Sequence, residues 1–414
     1  MLVVQVKAVV VGLLAVAVVL LVVLVIHAFN TTIMKPISNR FSPSICVTHD
    51  CNLNCIYCYQ KHDIIHRMQL DTAKECIDWI FHNVPDYTEG IEVIFIGGEP
   101  LLEFKLLKNI LSYTCDNYNG TDFIFFANTN GTVLDKEMKQ WFTSHKNRFV
   151  LGLSLDGTKE THNANRCGSF DMIDFEFFLK NWPEQGVKMT LSEFSLPHLA
   201  ENIKFIHSLG FVDITGVNFA EGNFDWNKDD YIKIIIPQLK ELVEFYDKND
   251  FLEINQMLDL NLFYCEEKNK KMKKWCGIGT GAIFFDTDGK KYPCPYVTPM
   301  TFSETELLDM LTTNYKMESD FIDETCFNEC YIYPICRTCA GANYLVNKTF
   351  KVRNKSYCRL QKLIALFVAD LYSRRIIKNQ KWLNNEILYN TIEAIKNIKN
   401  IYLPEFSEYI NKIN

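Results

Sequence analysis

Apolar and polar positions follow two rhythms along the middle of this chain, and the rhythms take turns. The runs SICVTHD (44–50), IEVIFIGG (91–98), DFIFFANTNG (122–131), RFVLGLSLDG (148–157), GVKMTLSEF (186–194) and DITGVNFAEG (213–222) are short and rich in β-branched and aromatic residues. They predict strands. Between them, residues 70–84, 103–117, 134–145, 170–182, 199–209 and 229–247 space their apolar positions as helices do, the first opened by Asp71. Six strand–helix units in series predict an α/β fold whose parallel sheet curls into a partial (β/α)6 barrel of the TIM type. Several strands end in Gly, Asn, Asp or Glu, and such barrels do their chemistry at the C-terminal ends of the strands. Those polar tips should therefore converge on one face.

From about residue 250 the rhythm stops. Residues 265–360 hold eight of the fifteen cysteines, with short strands and turns such as DTDGKKYPCP. This part reads as a smaller, cysteine-organised domain over 251–360, after a barrel over 34–250. Residues 361–414, in and after RLQKLIALFVADLYSRRIIK, read as a C-terminal helical tail with a Lys- and Asn-rich exposed face.

The N-terminus has a third pattern. Ala8 to Ile26 carry no charge over nineteen positions, and at about 1.5 Å per residue the run reaches across a bilayer core of roughly 30 Å. It predicts a single transmembrane helix within an anchor and linker over 1–33. Lys35, Arg40, Lys61 and Arg67 follow the span and only Lys7 stands close before it, which places the bulk of the chain on the cytoplasmic side. A chain starting at Met34 would instead be cytoplasmic without an anchor.

A net charge of −7 with no long basic run argues against a nucleic-acid binder. Fifteen cysteines in 414 residues do not form the dense framework of a small secreted scaffold. They point to metal and a reducing compartment.

Cys51, Cys55 and Cys58 follow the first predicted strand with no fourth cysteine close by. Three thiolates can hold three irons of a [4Fe–4S] cube and leave one iron open; a zinc knuckle is the plainer alternative. The Cx3Cx2C spacing, with Tyr57 in the aromatic slot before the third cysteine, resembles the radical S-adenosylmethionine (SAM) enzymes. The resemblance implies that the open iron is chelated by the methionine part of SAM. It also implies that reduction releases a 5′-deoxyadenosyl radical, which takes hydrogen from a substrate. GGEP, Gly97 to Pro100, closes the second strand, where this family receives the methionine amino group. Glycines let backbone approach there, and Glu99 offers an acceptor. In the peptide- and protein-modifying branch, tips like NTNG (128–131) and SLDG (154–157) line the ribose and carboxylate of SAM, which implicates Asn130, Ser154 and Asp156.

Cys276, Gly289, Cys294, Cys326, Cys330, Cys336, Cys339 and Cys358 resemble the seven-cysteine extension called SPASM, which in relatives binds two auxiliary [4Fe–4S] clusters. The central part runs Cx3Cx5Cx2C, with its outer spacings exchanged relative to that family. By analogy Cys276, Cys294 and Cys339 hold the first auxiliary cluster, and Cys326, Cys330, Cys336 and Cys358 the second. A substrate group or Cys265 would complete the first; one or two structural zinc sites are the alternative reading.

Sulfatase-maturing members of the family place an Asp base directly after the second SPASM cysteine. Here that position is Pro295, which has no proton-accepting side chain. The resemblance then favours a maturase that forms a crosslink, thioether or related bond in a ribosomally made peptide or protein. The partners it implies are that precursor and a flavodoxin- or ferredoxin-like electron donor. Formylglycine formation, or dehydrogenation of a small molecule, are the alternatives. There is no room for a winged-helix leader-binding module between Ile26 and Cys46, so recognition falls to the C-terminal helices or a separate protein. Cys46, Cys76 and Cys115 read as packing thiols, Cys167 as a loop residue near the active face, and His162 and Arg166 as surface or loop-fixing groups.

Overall fold

The computed structural model describes residues 40–60, 66–221, 224–266, 274–378 and 385–411. The expected membrane span lies outside these residues. Among the described residues, no helix is long and apolar enough to cross a membrane.

All six expected strands form. After a short β1 (Arg40–Phe41) come β2 (Ser44–Thr48), β3 (Gly90–Gly97), β4 (Phe123–Thr129), β5 (Phe149–Leu153), β6 (Lys188–Leu191) and β7 (Gly216–Phe219). β2, β3, β4 and β5 pair in parallel in chain order, and β6 pairs in parallel with β7. A parallel bridge between Ser154 and Lys188 joins the two sheets, giving a partial barrel. The strands are separated by α1 (Leu70–His82), α2 (Phe104–Asn117), α3 (Lys136–His145), α4 (Lys159–Asn165), α5 (Phe175–Asn181) and α6 (Leu199–Ser208), and α7 (Asp229–Lys248) follows β7. Alternate residues of β3 and β4 are buried, so Ile91, Val93, Phe95, Phe123, Phe125 and Ala127 face the helices. The rings of Phe95 and Phe125 meet edge to face at 4.9 Å. Burying each such ring contributes roughly 1.5–3 kcal/mol.

Two expected helix boundaries shift for local reasons. Asp71 lies in the first turn of α1 while Gln69 stands at the cap. The expected helix over 170–182 breaks at Ile173, because the Asp174 side chain accepts from Phe177 N and starts α5 afresh. The α4 segment, KETHNAN, has no apolar period and gave no signal.

The cysteine-rich part extends the barrel sheet. β8 (Phe284–Phe285) pairs in parallel with β2, and β9 (Lys291–Tyr292) turns back antiparallel to β8. Consequently β2 is covered on both faces: Ile45 and Val47 join the main core, while Cys46 packs with Phe284 and Tyr292 in the second one. That second core also takes residues of α8 (Glu304–Leu311) and α10 (Ala340–Asn347), on either side of the short α9 (Glu324–Glu329). α11 (Cys358–Lys378) and α12 (Asn385–Asn411) pack back on the barrel. Leu363, Ile364, Leu371 and Phe406 share the barrel's core, and Arg375 Nη2 donates to Tyr246 O in α7 at 3.0 Å.

Candidate active site

The tip of β3 presses directly on the cysteine loop. Gly98 N donates to Thr48 O at 3.1 Å and Glu99 N to Asp50 O at 2.9 Å. A Cβ on Gly98 would stand 2.3 Å from Asp50 O and 2.7 Å from the Cys51 Cβ; one on Gly97 would stand 2.3 Å from Thr48 O. Only glycine permits that approach. Pro100 begins a short 3-10 turn beside them and is buried.

Cys51 and Cys55 are half-buried and Cys58 is exposed, on a loop held by polar bonds more than by packing. Ile56 N donates to Asn165 O at 3.0 Å, and Asn52 Nδ2 donates to Thr132 Oγ1 at 2.7 Å. Cys167, at φ +55°, donates its Sγ–H to Asn54 O at 2.9 Å, so this thiol is a loop pin. Burial pushes the Cys51 and Cys55 thiols up to about 11. They stay protonated at neutral pH unless a metal displaces the proton.

Glu99 joins two strand tips. Its carboxylate accepts from Leu101 N at 3.1 Å, Thr129 Oγ1 at 2.8 Å and Asn130 N at 2.8 Å. Asn130 reaches on to the loop, donating Nδ2 to Asn52 Oδ1 at 2.9 Å. Burial raises the Glu99 carboxyl to about 7, against the pull of these donors. The folded value lies above the unfolded one, so this group's stabilisation is full below about pH 4.5 and is lost as pH rises through about 7, by roughly 3 kcal/mol. A Glu99→Gln chain should therefore lose less stability than the wild type across that window in urea titrations. An unchanged pH slope would contradict the raised carboxyl.

Asp156, expected to touch SAM, proves to be a buried hub beneath the site. It accepts from Tyr57 OH at 2.5 Å, Arg166 Nε at 3.0 Å and Nη2 at 3.2 Å, Asn165 Nδ2 at 3.1 Å and Thr190 N at 3.0 Å. With five donors and no exposure, its oxygens face the protein, and its role is to position Tyr57 and the loop. Arg166 is loop-fixing as expected but buried, not at the surface; the same holds for His162, whose Nε2 lies 3.1 Å from Ser169 Oγ. Burial lowers the His162 imidazole to about 4 and keeps it neutral. Ser154 lies beside the tip of β4, its N–H donating to Thr129 O at 2.9 Å. Thus Gly97, Gly98, Glu99, Pro100, Tyr57 and Asn130 meet the cysteine loop, Ser154 lies beside Thr129, and Asp156 holds Tyr57 from below.

The later cysteines fall into two groups. Charges on Cys276 and Cys294 bear on Cys339, and charges on Cys326, Cys330 and Cys358 bear on Cys336. Cys326, Cys330, Cys336 and Cys358 line one cavity of about 40 Å³. Soft thiolates converging on an enclosed space suit an iron–sulfur cluster. Cys265 is buried and bears on Tyr331 and Tyr402, and the Tyr402 hydroxyl is 3.6 Å from Cys330 Sγ. Of the three expected packing thiols, Cys46 and Cys76 are buried and Cys115 is exposed.

Three features escaped the sequence. Tyr59 stacks on Tyr296 with centroids 5.1 Å apart, tying the residue after Cys58 to the segment after Cys294. His49 Nε2 meets Asp286 Oδ1 at 2.6 Å in the interior, tethering the cysteine-rich hairpin to β2. A cavity of about 290 Å³ lies between β7 and the cysteine-rich part, lined among others by Asn218, Glu221, Trp275, Arg337, Cys339 and Tyr357. Burial raises the Glu221 carboxyl to about 7, and Tyr357 OH donates to it at 3.1 Å. The polar tip AEG of the sixth strand was the one available signal for Glu221.

Residues 45–182, which contain this loop, the strand tips and the hub, match the radical SAM superfamily model. This stretch is a radical SAM domain, and that family's cofactors are a [4Fe–4S] cluster and SAM. The chain is similar to the cysteine-type anaerobic sulfatase-maturating enzyme of Clostridium novyi (strain NT), at 25% identity over 78% of this chain and 93% of that protein. It is also similar to the antilisterial bacteriocin subtilosin biosynthesis protein AlbA of Bacillus subtilis (strain 168), at 28% identity over 62% of this chain and 55% of that protein. Among solved structures, native anSMEcpe with bound AdoMet superposes with a TM-score of 0.61 at 20% identity, covering 86% of this chain and 100% of that one. That likeness supports the fold.

Proposed function

We propose that this enzyme modifies a residue of a ribosomally made peptide or protein, forming a crosslink, thioether or related bond. The observation that carries this reading is the cavity of about 290 Å³ between the barrel and the cysteine-rich part, with Cys339 in its wall. A substrate segment there would lie between the SAM site and the first auxiliary site. Bound SAM supplies a 5′-deoxyadenosyl radical once its cluster is reduced. In this reading Cys51, Cys55 and Cys58 hold that cluster. Gly97 and Gly98 admit the methionine part of SAM, and Glu99, Asn130 and Ser154 face it. Tyr57 is held by Asp156, while Cys276, Cys294, Cys339 and Cys326, Cys330, Cys336, Cys358 hold two auxiliary clusters in a SPASM domain.

The relatives' names supply two substrate classes, a sulfatase and a bacteriocin precursor. Pro295, following Cys294, removes the sulfatase-type base from its usual place and favours the second. We further propose that residues 8–26 anchor the chain in a membrane with the catalytic part cytoplasmic, that a flavodoxin- or ferredoxin-like protein donates electrons, and that no nucleic acid takes part.

The test is incubation of the reduced, reconstituted enzyme with SAM and a panel of synthetic bacteriocin-type precursors and sulfatase peptides. The expected product is a precursor lighter by two hydrogens that does not react with a hydrazide probe. A hydrazide-reactive aldehyde on the sulfatase peptide alone would replace this reading with formylglycine formation.

A further inference from the structure

The two groups of later cysteines sit in different electrostatic surroundings. Around the four-cysteine group, Lys355 Nζ lies 2.6 Å from Cys326 Sγ and 2.9 Å from Asp323 Oδ2. Arg353 Nη1 donates to Cys336 O at 3.3 Å, and its guanidinium bears on both Cys326 and Cys336. Lys362 lines the same cavity and bears on Cys358, and the Tyr402 hydroxyl stands 3.6 Å from Cys330 Sγ. Three cations thus face this group against two carboxylates, Asp323 and Glu405, the latter paired with Lys362 at 3.0 Å.

The three-cysteine group has no such excess. Lys274 bears on Cys276, but its ammonium donates to Ile278 O at 2.7 Å and Tyr315 O at 2.6 Å rather than to sulfur. On the other side, the Glu221 carboxyl bears on Cys339 and shares its cavity. Glu318 bears on Lys274 as well, and Arg337 lines both cavities alike, so cations and acidic groups balance here.

The potential of a thiolate-bound cluster rises with positive charge nearby and with hydrogen bonds to its sulfurs, because both stabilise the more negative, reduced state. We propose that Lys355, through its hydrogen bond to Cys326, sets the potential of the four-cysteine auxiliary site and makes it the more readily reduced of the two. Arg353 and Lys362 add to this by charge alone. Lys355 is a positioning residue here, since it acts through a ligand and touches no substrate. The consequence is a built-in direction: an electron shared between the auxiliary sites rests on the one held by Cys326, Cys330, Cys336 and Cys358, nearest Lys355 and Lys362 at the surface. This inference rests on the assignment of those cysteines as cluster ligands.

The test is a potentiometric titration of the reconstituted full chain followed by electron paramagnetic resonance, with iron counted in the same samples. Cys326→Ala identifies the signal of the four-cysteine site. Lys355→Met should shift that signal to lower potential and leave the other auxiliary signal in place, while Lys355→Arg stays near wild type. Lys362→Met, which removes a charge that makes no bond to sulfur, should shift it less and in the same direction. About twelve irons per chain with potentials unmoved in both Met variants would overturn the proposal, as would a shift confined to the other auxiliary signal. About four irons in the wild type would instead remove the auxiliary clusters themselves, a different failure.

Discussion

Replacing Cys51, Cys55 and Cys58 together by Ala abolishes 5′-deoxyadenosine formation and removes about four irons per chain, while the rest of the protein stays folded. The expectation of an intact fold follows from how the loop is held. Ile56 is 57% exposed, and the loop's anchors (the bonds to Thr132, Asn165 and Cys167, the Tyr57–Asp156 bond and the Tyr59–Tyr296 stack) are made without the three thiols, so little burial is lost with them. The cysteines also stand clear of β2, whose buried residues end at Thr48. The measurement pairs liquid chromatography of the nucleoside product with iron analysis and circular dichroism. Deoxyadenosine released at the wild-type rate would place the radical chemistry elsewhere in the chain.

The largest stability effect belongs to Asp156. Replacing it by Ala leaves the Arg166 guanidinium buried without its carboxylate, and strips Tyr57, Asn165 and Thr190 of their acceptor. Breaking one side of a buried ion pair costs about 3–5 kcal/mol, a large share of a domain's stability. Removing both charges with Asp156→Asn and Arg166→Met should cost less than Asp156→Ala alone, because no unpaired charge then remains. Urea midpoints of the three chains check this. Equal losses for the single and double variants would mean that the pair contributes packing and not electrostatics. Since Tyr57 sits between Cys55 and Cys58, even the better-tolerated double variant should bind SAM more weakly.

Much of this arrangement could be read from the residues alone, and the reason is local. Strand composition, helix period and polar strand tips are short-range signals, and a (β/α) barrel is built from them in chain order. The cysteine loop and GGEP are read the same way, since each lies at the end of its own strand. What escaped notice is non-local. Nothing in SICVTHD announces that His49 will pair with Asp286, or that β8 will add to the far edge of β2. Asp156 shows the complementary error. Its place in SLDG marked it for the site, but five donors arriving from Tyr57, Asn165, Arg166 and Thr190 turn it into a foundation. Glu221 and Lys355 carry no motif. Their interest comes from what folds against them: a cavity for one, a thiol for the other.

The helices after residue 358 make the same point. Their sequence reads as a tail with a polar face, yet Leu363, Ile364, Leu371 and Phe406 complete the barrel's core. Arg359 Nη1 and Asp229 Oδ1, at the start of α7, are 2.5 Å apart. A helix that braces the barrel this way also fixes Cys358, its first residue, relative to β7 and Glu221 through Tyr357.

The most direct test of the whole account is iron and labile sulfide per chain after anaerobic reconstitution. Three clusters, one on Cys51, Cys55 and Cys58 and two on the later cysteines, require about twelve irons and as many sulfides. A value of about four, or zinc bound in place of the difference, would contradict the auxiliary clusters and leave a radical SAM barrel beside a structural cysteine domain.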